Sequence, residues 1–185
     1  GVDVASGVKI NQLHLNSQAV VDLQHADNQI ASVDGVVQTG DLDILTQGNI
    51  NIAGVQVQDG SLIVQTLSGN VSHQANNGSL VTRNLKLTAS GDIYLQNNIT
   101  VNGGSYLQAG GALTLQDGIL NSGGDVIASA GGALNIIAAQ KETSLVSNNG
   151  NIDLQSNGGF LLQGSASTAN TSASILGTQS ILINA

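Results

Sequence analysis

Few residues in this chain are equipped for chemistry. Of 185 residues, 12 are acidic, 4 are basic and 3 are histidine, and there is no cysteine. The closest carboxylate pair is Asp41 with Asp43, which flank Leu42 and so point outward together from an extended chain. Two carboxylates are the minimum for acid–base cleavage of a glycosidic bond. A saccharide cleft also needs aromatic platforms and a cation, and Tyr94, Tyr106 and Phe160 are the only aromatic residues. His14, His25 and His73 have no Cys or second His at ligand spacing, so all three are expected to face solvent rather than hold zinc. Asp41, Asp92 and Asp125 each follow a glycine, which suits turn chemistry. Gly123-Gly124-Asp125 is only a fragment of a calcium-binding nonapeptide. On these grounds no catalytic, metal or cofactor-binding residue is assigned, and the residues of any ligand site stay unknown.

The elements that would have to position such groups are short and repetitive. Gly91-Asp92-Ile93-Tyr94-Leu95, Gly111-Ala112-Leu113-Thr114-Leu115, Gly132-Ala133-Leu134-Asn135-Ile136 and Gly150-Asn151-Ile152-Asp153-Leu154 are one phrase in four spellings. Each apolar pair between them is too short for a helical face and reads as a strand of two or three residues. Three columns follow. The first runs through Val8, Ile30, Ile50, Val71, Ile93, Leu113, Leu134, Ile152 and Ile175. The second holds Leu13, Val36, Val55, Leu80, Ile99 and Ile119, weakens near Ile137, and resumes at Phe160 and Ile181. The third is Val21, Leu42, Leu62, Leu85, Tyr106, Val126 and Leu145. This predicts an all-β parallel β-helix, or solenoid, of about nine coils of roughly 21 residues with three short strands per coil. At ~4.8 Å per coil the rod is roughly 40 Å long.

Composition agrees with that architecture. Hydrophobic residues make up 41% of the chain and aromatics 2%, so the core is built from Ala, Val, Ile and Leu, as thin identical layers require. There is no proline to interrupt hydrogen bonds between coils. Glycines such as Gly91, Gly111 and Gly132 mark corners, where positive φ is expected. The net charge of −8, with Lys9, Arg83, Lys86 and Lys141 scattered singly, argues against nucleic acid and anionic membrane as partners. No apolar run is long enough for a transmembrane helix.

The pattern breaks twice. Residues 138–143 read as a loop bulging from the rod, and 164–174 as a low-complexity loop insertion. The whole of 1–185 reads as a single β-helix segment, with uncapped ends that predict end-to-end self-association and mark an internal fragment of a longer chain. Four Asn-X-Ser/Thr sequons occur, beginning at Asn70, Asn77, Asn98 and Asn170, in a sequence rich enough in these residues to produce them without selection.

The phrases GNINIAGVQVQDGSLIVQ, GDIYLQNNITVNGG and GGALTLQDGILNSGGDVIASAGGALNI resemble the haemagglutinin-type repeats of filamentous-haemagglutinin-like bacterial exoproteins, over roughly residues 40–163. That family comprises adhesins and the stick proteins of contact-dependent inhibition, exported by two-partner secretion. The resemblance implies a right-handed winding and a secreted, cell-surface location. It further implies an outer-membrane secretion partner, a role in cell adhesion and virulence, and a host-cell or neighbouring-cell receptor or glycan as target. The reading it favours is a non-enzymatic shaft or adhesive segment that presents a binding region. Two alternatives stand beside it: a receptor- or glycan-binding module that uses the irregular loops, and a polysaccharide-cleaving β-helix enzyme.

Overall fold

The computed structural model describes residues 2–3, 7–165 and 171–185. Among them there is no helix, and 24 strands stack in parallel around a single aliphatic core. One face is a nine-stranded sheet: Val2–Asp3, Val21–Leu23, Leu42–Thr46, Ser61–Thr66, Asn84–Ala89, Ser105–Ala109, Val126–Ala130, Ile152–Ser156 and Ile181–Asn184. We call it the third face. The first face carries Val71–His73, Ile93–Gln96, Leu113–Gln116, Leu134–Ile137 and Phe160–Gln163, and the second carries Leu80–Thr82, Ile99–Val101, Ile119–Ser122, Thr143–Ser147 and Ala173–Gly177. These two faces belong to one sheet because Ile50–Val57 runs through a corner. Its Ile50 pairs with Val71 on the first face and its Gln56 with Val81 on the second, with Gly54 at φ 104° between them.

The solenoid makes about seven turns at roughly 21-residue spacing, fewer than the nine expected. Lys9–Ile10 and Gln29–Ile30 form a separate two-stranded ladder, and no later rung covers Leu162, Ile181 and Ile183, which are exposed. Buried core runs from Leu15 to Leu154. Alternation within each strand explains it: in Leu113-Thr114-Leu115 the leucines are buried and the threonine is not, and the same holds for Leu85-Lys86-Leu87. Each fully buried Leu, Ile or Val stabilises the fold by about 1.5–3 kcal/mol. Because the neighbours above and below have nearly the same shape, one side chain fills the space the next one leaves.

Register moves single members of the columns: Ile30 pairs with Ile10 and not Val8, Leu13 with Val33 and Val55 with Gly35 and not Val36, and Ile99 with Leu120 and not Ile119. It also makes two larger corrections. Leu134 pairs with Phe160, and Ile152 pairs with Val126 on the third face, so Gly150–Leu154 repeats the phrase on a different side of the rod. Leu145 likewise belongs to the second face, opposite Leu120. The extra residues at 139–142 lengthen this turn and shift everything after it by one side. The second correction is Tyr106. Leu85 pairs with Ser105 and Leu87 with Leu107, so Ser105 and Leu107 point inward and Tyr106 points out.

Corners are built differently from the expectation as well. Among the described glycines only Gly35, Gly40, Gly54 and Gly159 have positive φ, and two other corners use Asn97 (φ 91°) and Asp117 (φ 53°). Most corner glycines are required by proximity instead. A Cβ on Gly123 would lie 2.0 Å from the carbonyl oxygen of Asn102 in the coil beneath. Strands separate their side chains sideways, whereas a corner turns the Cα–Cβ bond along the stack.

Candidate functional site

The Asp residues that follow glycines at corners hold the stack together. Asp92 Oδ1 accepts the backbone N–H of Ala112 at 2.7 Å, Asp125 Oδ1 that of Asn151 at 2.7 Å, and Asp41 Oδ1 that of Ser61 at 2.7 Å. Asn70 and Asn98 do the same for Asp92 (2.7 Å) and Ile119 (3.0 Å). Each oxygen satisfies an N–H one coil further on that the strand ladder leaves unpaired. Inward hydroxyls complete the corners: Thr82 Oγ1 donates to Asn84 O at 2.9 Å, Ser122 Oγ to Gly103 O at 2.8 Å and Ser147 Oγ to Gly124 O at 2.8 Å. Among the described residues no three His, Asp or Glu side chains gather as a metal site.

The Asp41–Asp43 pair is divided between two tasks. Asp41 serves the corner, while Asp43 stands on the outer side of the third face opposite Asp22, with the amide of Gln24 donating to it. Burial raises the carboxyl of Asp43 above its ordinary value, the charges of Asp22 and Asp41 raise it further, and Lys86 opposes them.

The histidines separate into two surface residues and one core residue. His14 Nδ1 lies 3.1 Å from Asp34 Oδ2, and His25 Nδ1 accepts the Asp27 N–H at 3.2 Å. His73, expected to face solvent, is fully buried. Val71 and His73 are two apart in one strand, so placing Val71 in the core places His73 there too. Its Nδ1 is 2.7 Å from the carbonyl oxygen of Ile52, which accepts only, so Nδ1 carries the proton. Nε2 is then a bare acceptor, buried without a partner among the described residues. Burial pulls this imidazole below its ordinary value, against the Ile52 bond.

Of the two expected loops, the first shortens to residues 139–142. Ala138 is buried and Thr143 begins a strand. This loop is pinned by Asp117, as set out below. In the second, residues 166–170 lie outside the described residues, and Ala173 and Ser174 open the strand Ala173–Gly177. The sequons at Asn70 and Asn98 are in use as corner acceptors. Asn77 donates its amide to Asn51 Oδ1 and Ile52 O, and Asn170 lies outside the described residues.

A constellation not anticipated from the sequence lies on the outer side of the third face. Register stacks Ile63, Lys86, Tyr106 and Ile127 in one outward column and Gln65, Thr88, Gln108 and Ser129 in the next. The Lys86 ammonium lies 6.0 Å from the centre of the Tyr106 ring. The Tyr106 hydroxyl donates to Gln108 Oε1 at 3.1 Å. Two shallow depressions, of about 330 and 470 Å³, both border Lys86 and Tyr106. The available signal was alternation itself: in Ser105–Ala109 the small residues Ser105 and Ala109 frame Leu107, which leaves Tyr106 and Gln108 outside. The arrangement combines a ring face, an ammonium and a row of amides and hydroxyls.

Comparison with family models, with characterised proteins and with solved structures finds no match for this chain.

Proposed function

We propose that this chain is a length of shaft from a secreted bacterial surface exoprotein of the haemagglutinin-repeat kind, which extends from the cell and presents a binding region for attachment. The observation that carries the reading is the uninterrupted nine-stranded third face, in which every rung is hydrogen-bonded to the next along the rod. Such a stack gains stability rung by rung, so it can fold progressively as it emerges outside the cell, exported through an outer-membrane partner. The reading includes no catalytic step, since Asp41 is occupied at a corner and Asp43 by Gln24. One observation favours the loop-module alternative: Asp117 accepts the backbone N–H groups of residues 139–141.

Reach is the test. The segment is placed between a cell-surface anchor and an epitope tag, and the height of the tag above the membrane is measured by super-resolution imaging. Removing two complete coils is expected to lower the tag by about 10 Å on the ~4.8 Å coil spacing, and two coils of an unrelated solenoid should restore it. A height indifferent to coil number would refute the shaft.

A further inference from the structure

We propose that the outer side of the third face, centred on Tyr106 and Lys86, binds an oligosaccharide in which carboxylate-bearing sugars are separated by neutral ones. Tyr106 is 36% exposed on a flat strand, and Ile127, directly opposite it in the next rung, is 42% exposed. Together they make an apolar shelf one or two rungs wide, the size of a sugar ring's C–H face. Lys86 borders the shelf in the preceding rung and makes no ion pair among the described residues. A cation held near an aromatic ring, with Asp43 acting on it only from two rungs away and no carboxylate in ion-pair contact among the described residues, is available to an anionic group of a ligand.

The neighbouring column supplies the polar half of the site. Gln65 and Thr88 make no side-chain hydrogen bond among the described residues, and Gln108 uses only its Oε1, leaving both N–H donors of its amide open. The outer side of the first face is different. There Tyr94 donates to Gln116, Asn135 to Thr114, and Asn77 and Ser72 to Asn51, so its polar groups largely satisfy one another. Unspent donors beside an exposed ring match the alternation of hydroxyls and C–H faces on a saccharide. An apolar ligand would leave the amides unpaired, and a nucleic acid would need a cluster of cations where this face has one. Asp43, two rungs before Lys86, and Asp153, two rungs after Tyr106, repel further anionic groups. That is why the ligand's carboxylates must be spaced. The site adds a ligand to the shaft and does not depend on that role.

The experiment titrates the 185-residue chain with a hexasaccharide of alternating uronate and N-acetylhexosamine, and separately with maltohexaose, by calorimetry. The expected result is saturable binding of the acidic hexasaccharide that weakens with salt. Tyr106→Ala should weaken it about tenfold or more, and Tyr106→Phe should retain most of it. Lys86→Gln should weaken it comparably and flatten the salt dependence, while any maltohexaose binding stays unchanged. Both side chains point outward, so circular dichroism and Tm of the variants should match those of the parent. Three results would overturn the proposal: no saturable binding, affinity unchanged in Tyr106→Ala and Lys86→Gln, or maltohexaose bound as tightly as the acidic hexasaccharide. None of them would alter the reach of the rod.

Discussion

Asp117 and Gln140 stand 23 residues apart, and the Oδ1 of the first accepts the backbone N–H of the second at 2.7 Å. The same oxygen accepts the N–H groups of Ala139 at 2.7 Å and Lys141 at 3.1 Å, so one carboxylate gathers three successive N–H groups of the loop. Burial alone would raise this carboxyl. The bonds from Gln140, Lys141 and Ala139, with the Gln116 amide, outweigh it and hold the group below the ordinary 3.8. With the folded value depressed, the stabilisation is complete above about 3.8 and is lost as pH falls through the lower folded-state value.

Asp117→Ala should therefore loosen the loop and cost about 1–2 kcal/mol, moderated by solvent screening at this partly exposed position. Asp117→Asn keeps an acceptor and tolerates the positive φ of 53°, so it should cost less. Urea unfolding together with amide exchange at 139–141 checks this. Unchanged exchange in Asp117→Ala would show that the loop is held by something else.

His73 makes the core sensitive to acid. Its folded-state pKa is lowered, so the unfolded chain binds the proton more readily below about 6.5, and stability is lost as pH falls from there through the folded-state value. His73→Leu matches Leu95 and Leu115 in the same column and removes the orphaned Nε2. The Ile52 carbonyl still receives the Asn77 amide at 2.7 Å. The substitution is expected to be neutral or stabilising by about 1 kcal/mol at pH 7.5 and to flatten the stability profile between pH 7 and 5. A profile equally steep in His73→Leu would assign the acid sensitivity to other groups.

Gly35 sits at φ 114°, at the register shift between Val33 and Gly35, where a Cβ would lie 2.0 Å from the Leu15 carbonyl oxygen. Strain and clash act together here. Gly35→Ala should cost about 3 kcal/mol or more. Gly48→Ala, with no atom within 4 Å of its Cβ and no positive φ, should change stability by less than about 0.5 kcal/mol. Thermal melts of the two variants give the comparison.

Protection from hydrogen exchange should follow burial along the rod. The strands Ile93–Gln96 and Leu113–Gln116 have a complete core layer on either side, while Phe160–Gln163 and Ile181–Asn184 are exposed on one. Amides of the central strands are expected to exchange only with global unfolding, and those of the last rung by local opening. Leu95→Ala should cost about 2–5 kcal/mol. Uniform protection from end to end would contradict the layered picture.

The sequence by itself determined the kind of molecule. Pairs such as Leu113/Leu115 and Ile93/Leu95, alternating with polar residues and returning after one coil, admit a parallel stack and little else, because a period of two combined with a period near 21 has few other ways to bury its apolar side. It also marked Asp41, Asp92 and Asp125 as corner residues. What only the tertiary structure decided is which neighbour each strand meets. Ile152 reads like Leu134 but lies on another face, since residues 139–142 are spent in a loop whose anchor, Asp117, is more than 20 residues away. Tyr106 outside and His73 inside, by contrast, follow from alternation with Leu107 and Val71 in their own strands, whereas the coil each strand stacks on is set only by contact between residues some 20 apart.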